Sequence, residues 1–344
     1  MARARVAWHE LTMEEPLEPG LPICDAHHHF WHGGEPPPRN RDRYLFDELL
    51  ADMESGHRVL STVFMECRAM FRCDGPAAMQ PVGETEFVNG IAAMSASGLY
   101  GPSRVASGIV GFADLRLGSA VAPVLESHMR ASSRFRGVRF ATSWDANPRE
   151  THISQPAPRG LLLDPKFREG LECLAGVDLS FDAWMVFTQL PELVTLARAM
   201  PDLRIVLGHV GGLIGIGPYS RRDEVFTTWS RNISEVARCP NVSIKIGGIG
   251  IYRHGFGWAD RPRPPSSAEM AQAFGPYVMH CIEAFGPSRC MFESNFPVDA
   301  QSASYNLVWN AFKRITDGMS ASEKAAVFHD TAAAVYRLAP TAID

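Results

Sequence analysis

Segments rich in β-branched residues alternate with longer segments of helical periodicity along the whole 344-residue chain, and this alternation predicts an α/β fold. Eight strand segments are present, which is the number that closes a (β/α)8 TIM barrel. A barrel of this kind commonly occupies a chain of this length as one domain. We therefore expect a single TIM-barrel domain over 1–344, with an N-terminal extension over 1–20 and long loops at the C-terminal face.

Each predicted strand is a short apolar run bounded by turn-forming residues, and the eight runs span 22–29, 60–67, 105–113, 135–140, 179–186, 204–209, 242–247 and 289–293. Apolar residues recur with helical spacing over 46–55, 84–97, 120–132, 165–175, 191–200, 224–238, 268–285, 303–316 and 321–338. Pro165 and Pro191 fit the first turn of a helix, and Ser320 with Glu323 fits a capping box.

The longest irregular segments all follow strands, and they span 31–44, 68–82, 143–161, 211–223 and 252–266. In a parallel barrel these loops open onto the C-terminal face, where barrel enzymes carry their reactive groups. We therefore expect a functional site at that face.

Composition and charge exclude several classes of partner. The net charge is -5 and the isoelectric point is about 6.2, so there is no global basic field to attract nucleic acid or anionic lipid. Residues 1–20 lack the apolar run of a signal peptide, and the seven cysteines form no CxxC pair. These features predict a cytoplasmic protein with reduced thiols, no membrane partner and a small-molecule substrate, and they leave a homo-oligomer open.

The first predicted strand ends in three consecutive histidines. Strand alternation predicts that Asp25, His27 and His29 point to one side and His28 to the other. Two imidazoles that are two residues apart on a strand can bind one divalent cation together. The alternative is a polar strand end with surface histidines.

Three motifs resemble the amidohydrolase superfamily: ICDAHHHFWH near the start, IVLGHVGG in the middle and RCMFESNFPVD near the end. They are similar to the amidohydrolase-2 branch, which contains 2-pyrone-4,6-dicarboxylate lactonase, sugar lactonases and predicted TIM-barrel metal-dependent hydrolases. The resemblance covers nearly the whole chain, in the same order. It implies metal ligands at His27, His29 and His209, and a strand-eight carboxylate at position 295.

The chain departs from that pattern at three positions. Asn295 stands where the superfamily usually has an Asp that binds metal and acts as general base, and an amide can neither take a proton nor supply negative charge. Phe140 and Phe187 stand where the similar hydrolases have His. These departures predict a more apolar pocket and a changed role for position 295, as a donor or water-orienting group.

Two carboxylates could supply the missing acid or base. Glu66 lies near the C-terminal end of the second strand, and Glu293 shares a side of the eighth strand with Asn295. Burial could raise the pKa of either group for proton transfer, although both could also be structural partners of basic residues. Glu293 is expected to lie lower in the barrel, so Glu66 is the favoured catalytic candidate.

Basic and aromatic residues are expected around the same face. Arg139 suits a substrate carboxylate, and Lys245 could offset negative charge on a carbonyl oxygen, although both could instead form ion pairs inside the barrel. The expected substrate-binding residues are Phe140, Trp144, Phe187, Gln189 and Arg253.

Together these features predict hydrolysis of a small cyclic ester or related carbonyl compound, anionic and partly apolar. The reaction would use one divalent metal, with zinc favoured, or proceed without metal. Two rivals stay open: a decarboxylase of a ring carboxylic acid, and a barrel that lost its chemistry and binds a ligand. No G-x-S-x-G motif is present, which argues against a serine hydrolase.

Overall fold

The computed structural model describes residues 2–33, 42–153 and 155–340, and it contains eight strands that pair in parallel in chain order. The predicted (β/α)8 barrel is thereby confirmed. Part of the predicted 31–44 and 143–161 loops, and both ends of the predicted domain, lie outside the described residues. The strands are β1 (Ile23–His28), β2 (Val59–Met65), β3 (Arg104–Gly111), β4 (Phe135–Ala141), β5 (Ser180–Trp184), β6 (Ile205–Leu207), β7 (Val242–Ile246) and β8 (Cys290–Phe292).

Helices between the strands pack against their outer side, whereas the first helix precedes β1 and contacts segments that follow β7 and β8. They are α1 (Ala2–His9), α2 (Phe46–Met53), α3 (Val82–Ala96), α4 (Ala122–Ala131), α5 (Pro165–Gly176), α6 (Leu190–Ala199), α7 (Arg222–Ala237), α8 (Ser267–Phe285), α9 (Tyr305–Ile315), α10 (Ala321–Ala325) and α11 (Thr331–Val335). The capping box of Ser320 and Glu323 is present. The predicted last helix is interrupted by a π-helical turn at Ala326–Asp330, and α1 lies in the segment predicted as an extension. In the described part of the chain, no helix combines the length and apolar character needed to cross a bilayer.

The barrel closes between β1 and the segment that follows β8. The backbone N–H of Asn295 donates to the carbonyl of His27 (2.9 Å), and the N–H of His29 donates to the carbonyl of Phe296 (2.8 Å). Closure removes the exposed sheet edge. It also places Asn295 beside the two histidines of β1.

Strand β1 contains an irregularity that decides where its polar residues point. Its register with β2 shifts between Asp25 and His28. The Asp25 carboxylate accepts a hydrogen bond from the hydroxyl of Tyr305 on the outer helix α9. Asp25 therefore does not share a side with His27 and His29, because one extra residue in the strand reverses the alternation.

A small apolar cluster fills the inside of the barrel, separate from the main core between strands and helices. It contains Cys24, Ala26, Val63, Met65, Val110, Val206, Met291, Ala332 and Tyr336. The last two residues belong to the C-terminal segment, which crosses the N-terminal end of the barrel, since Arg337 pairs with Asp178 just before β5. The polar groups that could take part in a reaction therefore lie at the C-terminal end of the barrel.

Candidate active site

Three buried side chains, one in β1 and two just after β6 and β8, converge at the C-terminal end of the barrel. His27, His209 and Glu293 bring one ligand atom each within 4.8 Å of one another. The Nδ1 of His209 lies 2.6 Å from Oε1 of Glu293, and its backbone N–H donates to the same oxygen. The Nδ1 of His27 lies 2.8 Å from Oε2 of Glu293, but neither atom has a hydrogen bond of good geometry within the described residues. Two buried polar atoms therefore face each other at close range without a hydrogen bond.

His29 lies on the other side of the His27 ring. Its Nε2 is 3.1 Å from Nε2 of His27, and its Nδ1 is 2.8 Å from the carbonyl oxygen of Met65. Because a carbonyl oxygen only accepts, Nδ1 of His29 carries a hydrogen in this contact. The structure thus brings the three predicted histidines together, with Glu293 in the ligand cluster and His29 at its edge.

The electrostatic surroundings keep His27 neutral. Burial lowers the pKa of His27 well below its usual value, and the positive charge of Lys245 lowers it further. A neutral imidazole offers its lone pair to a cation near pH 7. The cluster therefore combines one uncharged nitrogen donor, from His27, with the carboxyl group of Glu293.

Two glycines after β7 make room for this cluster. A Cβ atom on Gly247 would lie 2.2 Å from Cγ of Glu293, and one on Gly248 would lie 3.0 Å from Nδ1 of His209. Any side chain at position 247 would displace the Glu293 carboxylate. The run IKIGGIG was a usable signal for a close approach of side chains, although it does not identify which ones.

The backbone is left-handed at several positions beside the cluster. The φ angles are 48° at His209, 46° at the β-branched Val210 and 55° at Asn295. Such conformations are unfavourable for residues other than glycine and commonly occur at functional sites. They also end the strand alternation, so side-chain directions after β6 and β8 cannot be extrapolated from the strands.

The amide of Asn295 has a fixed orientation. Its Nδ2 donates to Oδ1 of Asp299 (2.7 Å), and Oδ2 of Asp299 accepts from the backbone N–H of Gly250 (2.8 Å). Burial raises the pKa of Asp299 to about 8. Since the amide nitrogen binds Asp299, the amide oxygen is the atom that Asn295 can offer to a water or an ion.

A narrow cavity adjoins the cluster, and its volume of about 10 Å³ is far below the range of most ligand pockets. Arg139 crosses part of it, with Nη1 3.4 Å from Nε2 of His27. The residues that line the cavity are His27, Met65, Arg139, Asp182, Ala183, Trp184, Gly208, His209 and Lys245.

Both basic residues of this cavity are paired with carboxylates. The Nε of Arg139 donates to Oε1 of Glu66 (2.9 Å), and its Nη2 donates to the Glu66 carbonyl. The Nζ of Lys245 lies 3.1 Å from Oδ1 of Asp182. The two possibilities that the sequence left open are therefore both present, because each cation forms an ion pair and also faces the cavity. Glu66 reaches the cavity only through Arg139.

Asp182 was missed by the sequence analysis. It accepts hydrogen bonds from the hydroxyls of Tyr336 (2.5 Å) and Ser180 (2.9 Å) in addition to pairing with Lys245. A signal was available, because a charged residue inside an apolar strand is costly unless it has a partner. Asp182 in LSFDAWMVF and Lys245 in VSIKI are residues of this kind.

Phe140 does not line the cavity. Its ring packs on Phe112 (5.5 Å between centroids) and Phe167 (5.2 Å), in the layer between strands and helices. The reason is strand alternation: Arg139 points into the barrel, so its neighbour Phe140 points out. The expectation that both adjacent residues face one pocket is corrected.

The expected substrate-binding residues after β4 and β5 stabilise loops. The side chain of Gln189 accepts from the N–H of Trp144 (2.8 Å) and donates to the carbonyl of Thr142 (2.9 Å). Phe187 packs against Tyr219, 5.3 Å away. None of the three predicted residues Trp144, Phe187 and Gln189 is part of the cavity wall.

Arg253 does not line the cavity but contacts a residue that does. Its guanidinium lies over the ring of Trp184 (4.8 Å), a cavity residue that was not predicted, and it donates to the carbonyl of His152. Burial lowers the pKa of Arg253 to about 10. Arg253 thus supports the wall that Trp184 forms.

Comparisons with known sequences agree with the predicted resemblance. A family model described as amidohydrolase matches residues 24–338. Protein y4mH of Sinorhizobium fredii is 32% identical over 334 residues, which cover 92% of this chain and 99% of that protein. An L-fucono-1,5-lactonase of Burkholderia multivorans is 27% identical over 240 residues, covering 69% of this chain and 73% of the lactonase. The resemblance inferred from the motifs is thereby confirmed.

Solved structures share the fold. A crystal structure of an amidohydrolase from Burkholderia multivorans with bound zinc has a TM-score of 0.72 and 24% identity, covering 92% of this chain and 99% of that chain. A 5-carboxyvanillate decarboxylase from Sphingomonas paucimobilis has a TM-score of 0.55 and 16% identity, covering 93% of this chain and 100% of that chain. At these identities the likeness concerns the fold alone.

Proposed function

The chain belongs to the amidohydrolase family and is a hydrolase enzyme, and we propose that its substrate is a neutral sugar-acid lactone, whose ring it opens. The similarity to a protein named L-fucono-1,5-lactonase supports a small-molecule substrate of this class. The observation that carries the proposal is the charge balance of the cavity. Arg139 and Lys245 are already paired with Glu66 and Asp182, and Glu293 adds a further carboxylate nearby.

This charge balance argues against the anionic, partly apolar ring expected from the sequence. That expectation assumed two unpaired cations and two phenylalanines facing the substrate. Both cations are paired, and Phe140 and Phe187 lie elsewhere. A neutral ring that bears hydroxyl groups avoids the cost of placing a charge among carboxylates.

We further propose that one divalent ion, with zinc favoured, is held by His27, His209 and Glu293. Two neutral imidazoles and a carboxylate are a common zinc donor set. The unbonded pair of His27 Nδ1 and Glu293 Oε2 fits a position where a cation would satisfy both atoms. When bound, such an ion polarises a carbonyl group and lowers the pKa of water. In this arrangement Glu293 supplies the carboxylate that the resemblance placed at position 295.

The side chains around the cavity have distinct roles in ring opening. The oxygen of water bonds to the carbonyl carbon, the ring C–O bond breaks, and the ring oxygen leaves as a hydroxyl that carries one proton of that water. The second proton is released when the product acid ionises. Lys245 and Arg139 stabilise the negative charge that develops on the carbonyl oxygen. The amide oxygen of Asn295 accepts a hydrogen bond from the water and orients it.

The proposal is tested with a panel of aldono-1,5- and 1,4-lactones, including L-fucono-1,5-lactone, and a matched set of ring carboxylic acids. We expect acid release from several lactones, loss of that activity on treatment with a chelator, and recovery with zinc. Release of CO₂ from a ring acid without lactone turnover would instead establish the decarboxylase. Activity that survives complete metal removal would establish the metal-free route, and zinc-loaded protein inactive on both sets would favour a ligand-binding barrel.

A further inference from the structure

The C-terminal segment reaches the cavity from the opposite end of the barrel. Tyr336 follows α11, is fully buried, and donates its hydroxyl hydrogen to Oδ1 of Asp182 at 2.5 Å. Asp182 belongs to β5 and lines the cavity. A residue outside the eight strands is therefore one hydrogen bond away from the cavity wall.

Asp182 connects Tyr336 to Lys245. Its Oδ1 accepts from Tyr336 and pairs with the Nζ of Lys245 (3.1 Å), while its Oδ2 accepts from Ser180. The Lys245 ammonium also lies 5.1 Å from the centre of the Tyr336 ring, within the range of a cation–π contact. Tyr336 thus acts on Lys245 both through Asp182 and through its ring.

The Lys245 ammonium has N–H groups that form no hydrogen bond of good geometry within the described residues. Its side chain is 1% exposed, and within the described residues its Nζ has no hydrogen bond of good geometry in addition to the ion pair. A buried ammonium without enough partners is costly, and a four-carbon stem allows many positions. If this ammonium is held in place, its remaining N–H groups can donate to an oxygen beside the cavity. Such donors favour an oxygen that becomes negative only during the reaction.

We propose that Tyr336 and Asp182 are positioning residues that hold the Lys245 ammonium against the lactone carbonyl oxygen, so that the C-terminal segment is part of the reaction centre. This inference rests on the proposed function for its chemical step. The competing explanation is that Tyr336 and Asp182 only attach the C-terminal segment to the barrel.

Coupling between variants separates the two explanations. Lys245→Met should lower kcat by ~10² to 10³, the usual loss for a donor to a developing oxyanion. Tyr336→Phe keeps the ring and should lower kcat by about tenfold with KM unchanged, because the carbonyl oxygen is contacted in the transition state more than in the ground state. The double variant should be no slower than Lys245→Met alone, since Tyr336 acts through Lys245.

The matched control is Tyr44→Phe, which removes a partly buried hydrogen bond of the same kind, from the Tyr44 hydroxyl to Asp52 (2.7 Å), away from the cavity. We expect wild-type kcat for this variant. Equal losses from Tyr336→Phe in the presence and absence of Lys245, or a loss matched by Tyr44→Phe, would overturn the positioning role.

A second measurement is independent of activity. In ¹H–¹⁵N spectra of the lysine ammonium groups, the signal that Lys245→Met removes should be sharp in the wild type, broadened in Tyr336→Phe and absent in Asp182→Asn. An unchanged signal in both variants would overturn the inference even in an active lactonase. The expected spectral changes in a protein inactive on every lactone would instead support the positioning and reject the proposed function.

Discussion

The two walls of the cavity differ in which charged groups they contain and in how those groups are paired. The first, the histidine wall, consists of His27, His209 and Glu293, where both imidazole rings contact a carboxylate that has no Lys or Arg partner among the described residues. The second, the ion-pair wall, consists of Arg139, Lys245 and Asp182, in which Lys245 pairs with Asp182 and Arg139 pairs with Glu66 behind the wall. The histidine wall suits a cation, whereas the ion-pair wall offers N–H donors with offset charge. This division fits a reaction in which a neutral carbonyl gains negative charge between the walls.

Of the changes to the histidine wall, removal of the Glu293 carboxylate should have the largest effect on zinc binding and on turnover. We expect Glu293→Gln to weaken zinc binding and to lower kcat/KM by at least ~10²-fold, because an amide supplies no negative charge and loss of such a partner commonly costs that much. Zinc per chain and lactone kinetics measure the two effects. The control is Glu86→Gln, since Glu86 forms an exposed pair with Arg72 on the outside of the barrel. Full zinc occupancy and activity in Glu293→Gln would remove Glu293 from the centre.

Displacement of the same carboxylate should have a somewhat smaller effect. In Gly247→Ala the new Cβ would lie 2.2 Å from Cγ and 2.4 Å from the backbone oxygen of Glu293, so the side chain and the adjoining backbone must move. We expect zinc affinity to fall by about 10- to 100-fold, which zinc titration measures. Gly90→Ala is the matched control, because no atom lies within 4 Å of a Cβ there and alanine favours the helix. Equal zinc affinities in the two variants would contradict the role of Gly247.

A change in the ion-pair wall tests the nature of the substrate. We expect Arg139→Gln to lower kcat/KM. The corresponding activation free energy should rise by about 1.5 to 3 kcal/mol, the usual cost of losing a hydrogen bond from a charged group. Because Glu66 offsets the guanidinium charge, the loss should be the same for a neutral lactone and for a carboxylated analogue. A much larger loss for the anionic analogue would restore the carboxylate-binding role that the sequence suggested.

Phe140 should affect stability without affecting turnover. Phe140→Leu removes ring contacts with Phe112 and Phe167 behind the ion-pair wall, so we expect the free energy of unfolding to fall by about 1 kcal/mol. Denaturant unfolding measures this change, and kcat/KM should equal that of the wild type. A changed KM would return Phe140 to the substrate pocket.

The smallest expected effect is a pH dependence beside the histidine wall. The pKa of Asp299 is raised from 3.8 to about 8 by burial, so the folded protein binds a proton there that the unfolded chain releases. That contribution to stability is present below pH 4 and is lost as the pH rises to 8. Asp299→Asn should therefore flatten the fall in unfolding free energy between pH 4 and pH 8. Parallel curves for variant and wild type would contradict the raised pKa.

The sequence was sufficient for the barrel and for the residues that lie within regular strands. Arg139 and Lys245 were expected to face the barrel and do so, because period-two alternation holds along β4 and β7. The same rule, applied consistently, would have excluded Phe140 from the pocket. The ion-pair wall was therefore largely predictable, with Asp182 as the residue overlooked.

The histidine wall was less predictable because its residues lie where strands become irregular. The register shift in β1 turns Asp25 away from His27, and the left-handed backbone of Asn295 ends the alternation that seemed to place it with Glu293. Glu293 was expected low in the barrel, yet Gly247 leaves the space that lets its carboxylate reach both histidines. Close contacts between residues distant in sequence decide such details.

The central claim is that His27, His209 and Glu293 together hold one catalytic divalent ion. Anomalous X-ray diffraction at the zinc absorption edge, from crystals of zinc-loaded protein, tests it directly. We expect a single peak about 2.0 to 2.2 Å from one nitrogen of each histidine and from an oxygen of Glu293. A peak bound without Glu293, two peaks of equal height, or no peak in this cluster would contradict the claim.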